Sequence, residues 1–425
     1  MPGKDCFILA YMDRKKQIAL ILITAIIVFT AFTIIRAERL RNAAGVESAM
    51  TGSLLTTAEN FQGQSYLIPH AQVVDSGLKA ADVPALTNPK FTTVTAMDSL
   101  LGDNLFGIDV EVGGQHRFYP YQILNWHRVV NDTFGDKQLI ITFDPLTGAA
   151  IVYEASQKSG ETLSLSFGGS VYNDGELLVD SANNQWLQID GTQVIHKNSA
   201  SSMLLGDKLT QYPSQSMKWK DWKSIFPNGE VLSSETGYTR DYIRHPYGQY
   251  ESSLSIYFPV NHTDSRIGNA KWWVDGLSIN GEHLALVKTV MQGPYVYNTV
   301  LGGVPISAFY DTDLDMTHVF NSVVGDKTLT FTRDATRQTI SDDQTKSIWS
   351  MTGVATEGPL KGTVMQMINA PEYYWFAWAA TYPDTRVAII DEQKAKDDAD
   401  KAAAAAQTTT DGTASKDITT PDATK

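Results

Sequence analysis

The chain has 425 residues, 43% of them hydrophobic, enough to bury more than one core. Its formal net charge of −13 excludes a phosphate-neutralising grip on nucleic acid, which needs clustered Lys and Arg. A lone cysteine, Cys6, leaves neither an intrachain disulfide nor a cysteine-built zinc site.

Residues 1–16 read as a short N-terminal tail. The stretch from Gln17 to Ile35 carries no charge and is bounded by Arg14-Lys15-Lys16 and by Arg36. As a helix it spans roughly 28 Å, about one hydrocarbon core. Thr33-Ile-Ile-Arg-Ala37 is a poor signal-peptidase site, so a retained transmembrane helix at 17–35 is preferred to a cleaved signal. Basic residues flank both ends and nearly cancel as an orientation signal. The short tail favours a cytoplasmic N-terminus and an extracytoplasmic body.

Residues 36–82, rich in Ala, Gly, Ser and Thr, read as a tether that becomes ordered near Tyr66-Leu67-Ile68-Pro69. Alternating apolar segments then predict strands at 106–112, 115–119, 138–143, 149–154, 162–167 and 176–179. Gly168-Gly169 and Gly302-Gly303 read as hairpin turns. Apolar residues at helical spacing predict short helices over 121–130, with Ile123, Leu124, Trp126, His127 and Val130, and over 216–225, where Trp219 and Trp222 share a face. Residues 391–425 hold an alanine run and a Thr-rich end without an aromatic, and read as a disordered tail.

An internal repeat is visible. Gly114-Gln-His116 matches Gly281-Glu-His283 at an offset of 167 (281 − 114), and Asn131/Asn298 and Asp144/Asp311 keep the same offset. Trp219-x-x-Trp222-x-x-x-Phe226-Pro227 matches Trp375-x-x-Trp378-x-x-x-Tyr382-Pro383. The expected fold is α+β, mainly β: two related β-rich domains at 83–258 and 259–390, from an internal duplication, preceded by one transmembrane helix. The tryptophan pairs read as core rather than as a glycan platform.

Several of these residues also carry a resemblance. Val83-Pro-Ala-Leu-Thr-Asn-Pro-Lys-Phe91, Tyr119-Pro120, Asn125-Trp-His-Arg-Val-Val-Asn-Asp132, Val171-Tyr-Asn173 and Arg240-Asp-Tyr242 with Pro246-Tyr-Gly-Gln-Tyr250 resemble a prokaryotic family, the domain of unknown function 3179. The family pattern carries Y-C-P-L-C-G where this chain has Phe143-Asp-Pro-Leu-Thr-Gly148, and W-H-E where it has Trp126-His-Arg128. The resemblance therefore implies an altered site, because a Cys-x-x-Cys loop beside a His and a Glu suggests soft-metal or thiol chemistry that Asp144, Thr147 and Arg128 cannot reproduce.

The residues offer two functions. One is a non-catalytic binding or envelope-scaffold module on the membrane, meeting a protein, peptide or glycan partner, with no cofactor assigned and no nucleic acid. The alternative is a metal-binding, redox or hydrolytic protein with its site at the Asp144-Pro145 loop. Catalytic candidates are then His127, Asp132 and Asp144, and metal candidates are His127, Asp144 and His116. Walker, dinucleotide and G-x-S-x-G patterns are absent. Asn131-Asp-Thr133 and Asn261-His-Thr263 are formal glycosylation sequons, and Asn131 is expected to close a helix.

Overall fold

Short apolar runs separated by glycine, Asn-Gly and Asp-Gly turns produce short strands, and the computed structural model is accordingly β-rich. It describes residues 50–393 apart from 157–159, 161, 199–204, 289–290, 292–294 and 390. The expected membrane helix at 17–35 and the tail beyond 393 lie outside the described residues. Among those described, no helix is long and apolar enough to cross a membrane.

Two sheets share one wiring. In the first, Phe106–Val112 pairs antiparallel with both Gln215–Lys218 and Gln115–Pro120, and Glu230–Leu232 joins Gln115–Pro120 in parallel. In the second, Trp273–Ile279 pairs antiparallel with both Glu372–Tyr374 and Glu282–Val287, and Arg386–Val387 joins Glu282–Val287 in parallel. A helix bridges the outer strands in each, Trp219–Ile225 and Trp375–Thr381. Both pairs of tryptophans are buried.

Each half continues into an antiparallel meander, Val129–Phe134, Lys137–Asp144 and Ala149–Glu154 in the first, Tyr295–Leu301, Val304–Asp311 and Met316–Asn321 in the second. Lys137–Asp144, expected to alternate, is instead buried on both faces from Leu139 onward, as its continuous apolar run requires. Side chains repeat the correspondence. Asn131 gives and takes a bond with the Leu165 backbone, at 3.0 and 2.9 Å, and Asn298 does the same with Phe331 at 2.9 and 3.0 Å. The Trp186 indole donates to Asp180 at 3.2 Å, and that of Trp349 to Asp342 at 3.0 Å. A single apolar cluster runs from Val129, Ile140 and Trp186 to Val274, Ala285 and Trp378, so the halves share a core.

Several local expectations shift. The helix from Tyr121 stops at His127 because Arg128 turns to φ 59° and the β-branched Val129-Val130 pair enters the next strand. Residues 216–218, expected as a helix start, pair instead, together with Gln215, with the free edge of Phe106–Val112. Gly168-Gly169 forms a bulge rather than a turn: pairing jumps from Phe167/Leu178 to Ser170/Leu177, and a Cβ on Gly168 would lie 2.5 Å from the Leu177 carbonyl. The segment expected as the end of a tether contributes Glu59–Phe61, Gln64–Tyr66 and Val74–Asp75 to the two edges of a seven-stranded sheet. Edge strands there present unpaired backbone groups that a passing chain satisfies.

Candidate functional site

Asp144 ends its strand fully buried. Its Oδ1 accepts the Leu146 N–H at 2.8 Å, the local turn that an Asp before Pro favours, and its Oδ2 accepts the Glu176 N–H at 2.8 Å. Burial raises its carboxyl above the usual range, against the pull of these two amides and of Arg128. The Thr147 carbonyl accepts from Tyr374 N at 2.8 Å, tying the loop to the second half.

Arg128 explains itself through the helix it ends. Its backbone N–H and guanidinium together bond the Leu124 and Asn125 carbonyls, which an ending helix leaves without partners. Its Nε donates to Glu176 Oε1 at 2.7 Å, with both side chains only 2% exposed, and Nη2 reaches the Tyr247 hydroxyl. Burial raises the Glu176 carboxyl, and the guanidinium beside it pulls it back down. Beside Glu176, Asn173 and Asp174 both take positive φ and form the two-residue turn between Tyr172 and Gly175. Asp174 Oδ1 accepts the Phe258 N–H at 2.8 Å and its Oδ2 accepts the Tyr250 hydroxyl at 2.8 Å.

The other predicted residues lie in separate networks. His127 is fully buried, with Nδ1 2.7 Å from the Pro84 carbonyl and Nε2 2.7 Å from the Tyr242 hydroxyl. A carbonyl only accepts, so Nδ1 carries the proton and Nε2 accepts from Tyr242. Burial lowers the ring to about 4 and keeps it neutral. Asp132 accepts from Tyr119 and Arg117, each at 2.7 Å. His116 stacks on Phe226 at 3.6 Å and contacts Asp109 at 3.1 Å, and that carboxylate raises its imidazole. These candidates do not converge, and among the described residues no three metal-capable side chains cluster. Asn131 lies in a strand rather than at a helix end, and both sequon asparagines bond inward, Asn131 to Leu165 and Asn261 to the Tyr172 hydroxyl at 2.9 Å.

A cleft of about 580 Å³ opens between the halves. At 100° per residue, Tyr121, Gln122 and Asn125 occupy the helix face opposite Ile123 and His127, and they line its near wall with Phe106 and Phe143. Trp273, Lys288, Tyr310 and Glu372 line the far wall. The formal charges pair with each other. Lys288 contacts Glu372, Lys218 Nζ lies 3.3 Å from Asp315, and the Tyr310 hydroxyl donates to Asp315 at 2.7 Å. Burial alone would lower the Lys288 ammonium, yet Glu372, Asp275 and Asp315 hold it above its usual range. The neutral groups are unsatisfied: Gln122 Oε1 and Asn125 Oδ1 are buried without a hydrogen-bond partner, and Asn125 is only 5% exposed. His245 Nε2 lies 3.3 Å from Glu251, in ion-pair range but off hydrogen-bond geometry.

A family pattern matches residues 80–385. The chain belongs to this family, described as Protein of unknown function (DUF3179). No curated protein and no solved structure matches it. The motif tyrosines now have partners: Tyr242 holds His127, Tyr247 holds Arg128 and Tyr250 holds Asp174. Glu176, Asp174 and the cleft residues were missed from sequence. For the tyrosines a signal existed, since they sit in the Arg240 to Tyr250 stretch that marks the family.

Proposed function

We propose that this chain is a non-catalytic binding module, held at a membrane by the 17–35 segment with its body on the extracytoplasmic side, and that its ligand occupies the cleft between the halves. The observation that carries the reading is the buried, unpartnered Asn125 Oδ1 at a cleft of about 580 Å³, a size typical of small-molecule sites. Leaving a buried polar atom unpaired costs about 1–3 kcal/mol, which a ligand hydrogen bond would remove. The self-satisfied networks around His127, Asp132 and Asp144 support a structural role for the motif loop. The shared sheet wiring and the Asn131/Asn298 pairs support descent of the halves from a duplication.

The test is ligand-induced thermal stabilisation of the purified protein, compared with the Asn125→Leu and Gln122→Leu variants, together with metal analysis. The reading predicts stabilisation that both variants weaken. Stoichiometric copper, zinc or iron in the purified protein would overturn the non-catalytic assignment. Protease shaving of intact cells tests the exported body, which the reading expects to be cut from outside.

A further inference from the structure

The cleft's own chemistry narrows its ligand, on the reading that it is a binding site. Its two lysines are engaged by carboxylates, Lys288 with Glu372 and Lys218 with Asp315. An ammonium ligand would meet two lysines on the wall, and a carboxylate or phosphate would meet Asp315 and Glu372. His245 and Glu251 face each other at 3.3 Å, and the groups left over are the carboxamide oxygens of Gln122 and Asn125. A carboxamide presents both donors and acceptors, so a hydroxyl, which also does both, complements it.

Beside these amides the wall is aromatic. Tyr121 stacks on Phe143 with ring centroids 4.0 Å apart and faces Phe106 at 6.4 Å, while Trp273 stands across the cleft, Phe106 and Trp273 being only half-buried. Partly covered ring faces offer an apolar surface next to polar atoms. A ligand matching both has an apolar face and a rim of hydroxyls. We propose that the cleft takes a neutral saccharide of one or two rings, seated against Phe106 and Trp273 with its hydroxyls on the Gln122 and Asn125 amides.

The full-length protein, purified in a sugar-free detergent because glycosidic detergents would compete, is titrated with maltose, cellobiose and N,N′-diacetylchitobiose by calorimetry. Putrescine and succinate serve as charged controls. The proposal predicts one-to-one binding of at least one disaccharide, weakened about tenfold by Gln122→Leu through loss of one hydrogen bond. Asn125→Leu should weaken it at least as much. If that variant does not fold, the half-buried Gln122 carries the test. Binding of putrescine or succinate instead, reduced by Gln122→Leu, would overturn the saccharide while leaving the cleft as the binding site. Saccharide binding indifferent to both substitutions, or no binding by any probe, would overturn the cleft reading as well.

Discussion

Replacing Arg128 by methionine removes the guanidinium from a site where almost nothing reaches solvent. Glu176 would stay behind, 2% exposed, without its 2.7 Å partner, and the Asn125 carbonyl would lose its guanidinium donor, while the Leu124 carbonyl keeps the backbone N–H of residue 128. Breaking a buried pair from one side costs about 3–5 kcal/mol, because the remaining charge must be neutralised or solvated in place. Arg128→Met together with Glu176→Met replaces both charges by apolar atoms of similar volume, a change that often leaves stability nearly level. The double variant should therefore be more stable than Arg128→Met alone, with a coupling of about 2 kcal/mol or more. Urea denaturation followed by tryptophan fluorescence reads the parent, Arg128→Met, Glu176→Met and the double variant. Arg128→Met within about 1 kcal/mol of the parent, or strictly additive losses, would refute the claim that the altered motif forms a closed ion-pair lock.

Other perturbations probe neighbouring parts of the account. Asn131→Ala and Asn298→Ala each remove a two-way clamp on a backbone segment and should each cost about 1–3 kcal/mol by chemical denaturation. A loss at one position with none at the other would argue against the two clamps being equivalent. Burial pushes Asp174 up to about 7, above its unfolded value, so the folded state holds a proton that the unfolded chain has released. Its contribution to stability should be full below about pH 4, fall as pH rises toward 7 and level off above, by up to about 4 kcal/mol. Asp174→Asn should flatten that slope, since Asn tolerates the positive φ and the Tyr250 hydroxyl can turn to the Leu146 carbonyl 3.0 Å away; an unchanged pH profile would contradict the assignment. Gly148→Ala should cost about 2–4 kcal/mol and distort the cleft wall, because Gly148 has φ 71° and a Cβ there would lie 2.7 Å from the Trp273 ring. Wild-type stability in that variant would refute the close approach.

Local patterns carried much of the fold. Short apolar runs between turn residues marked the strands, the one-turn tryptophan spacing marked the buried helix faces, and the single offset joining Asn131 to Asn298 marked positions that make the same backbone clamp. Competition for partners was not legible. Nothing near Gln215 announces that Phe106–Val112 offers it an edge, and nothing in Gly168-Gly169 separates a bulge from a turn without the pairing strand in view. The site suffered most. His127 was visible as a residue type, but its meaning depends on Tyr242, 115 residues away, just as Arg128 depends on Glu176, 48 residues away. Those partners spend the groups that would otherwise have looked reactive. The cleft has no local signature because its walls come from both halves of the chain.

The central claim is that ligand enters between the halves at Gln122 and Asn125. Side-chain amide NMR resonances of these two residues, assigned by substitution and followed during saccharide titration, test it most directly. The account predicts saturable shifts at both, with the Asn131 and Asn298 amides unmoved. Shifts confined to residues elsewhere, such as the open groove lined by 85–90 and 235–238, would contradict it.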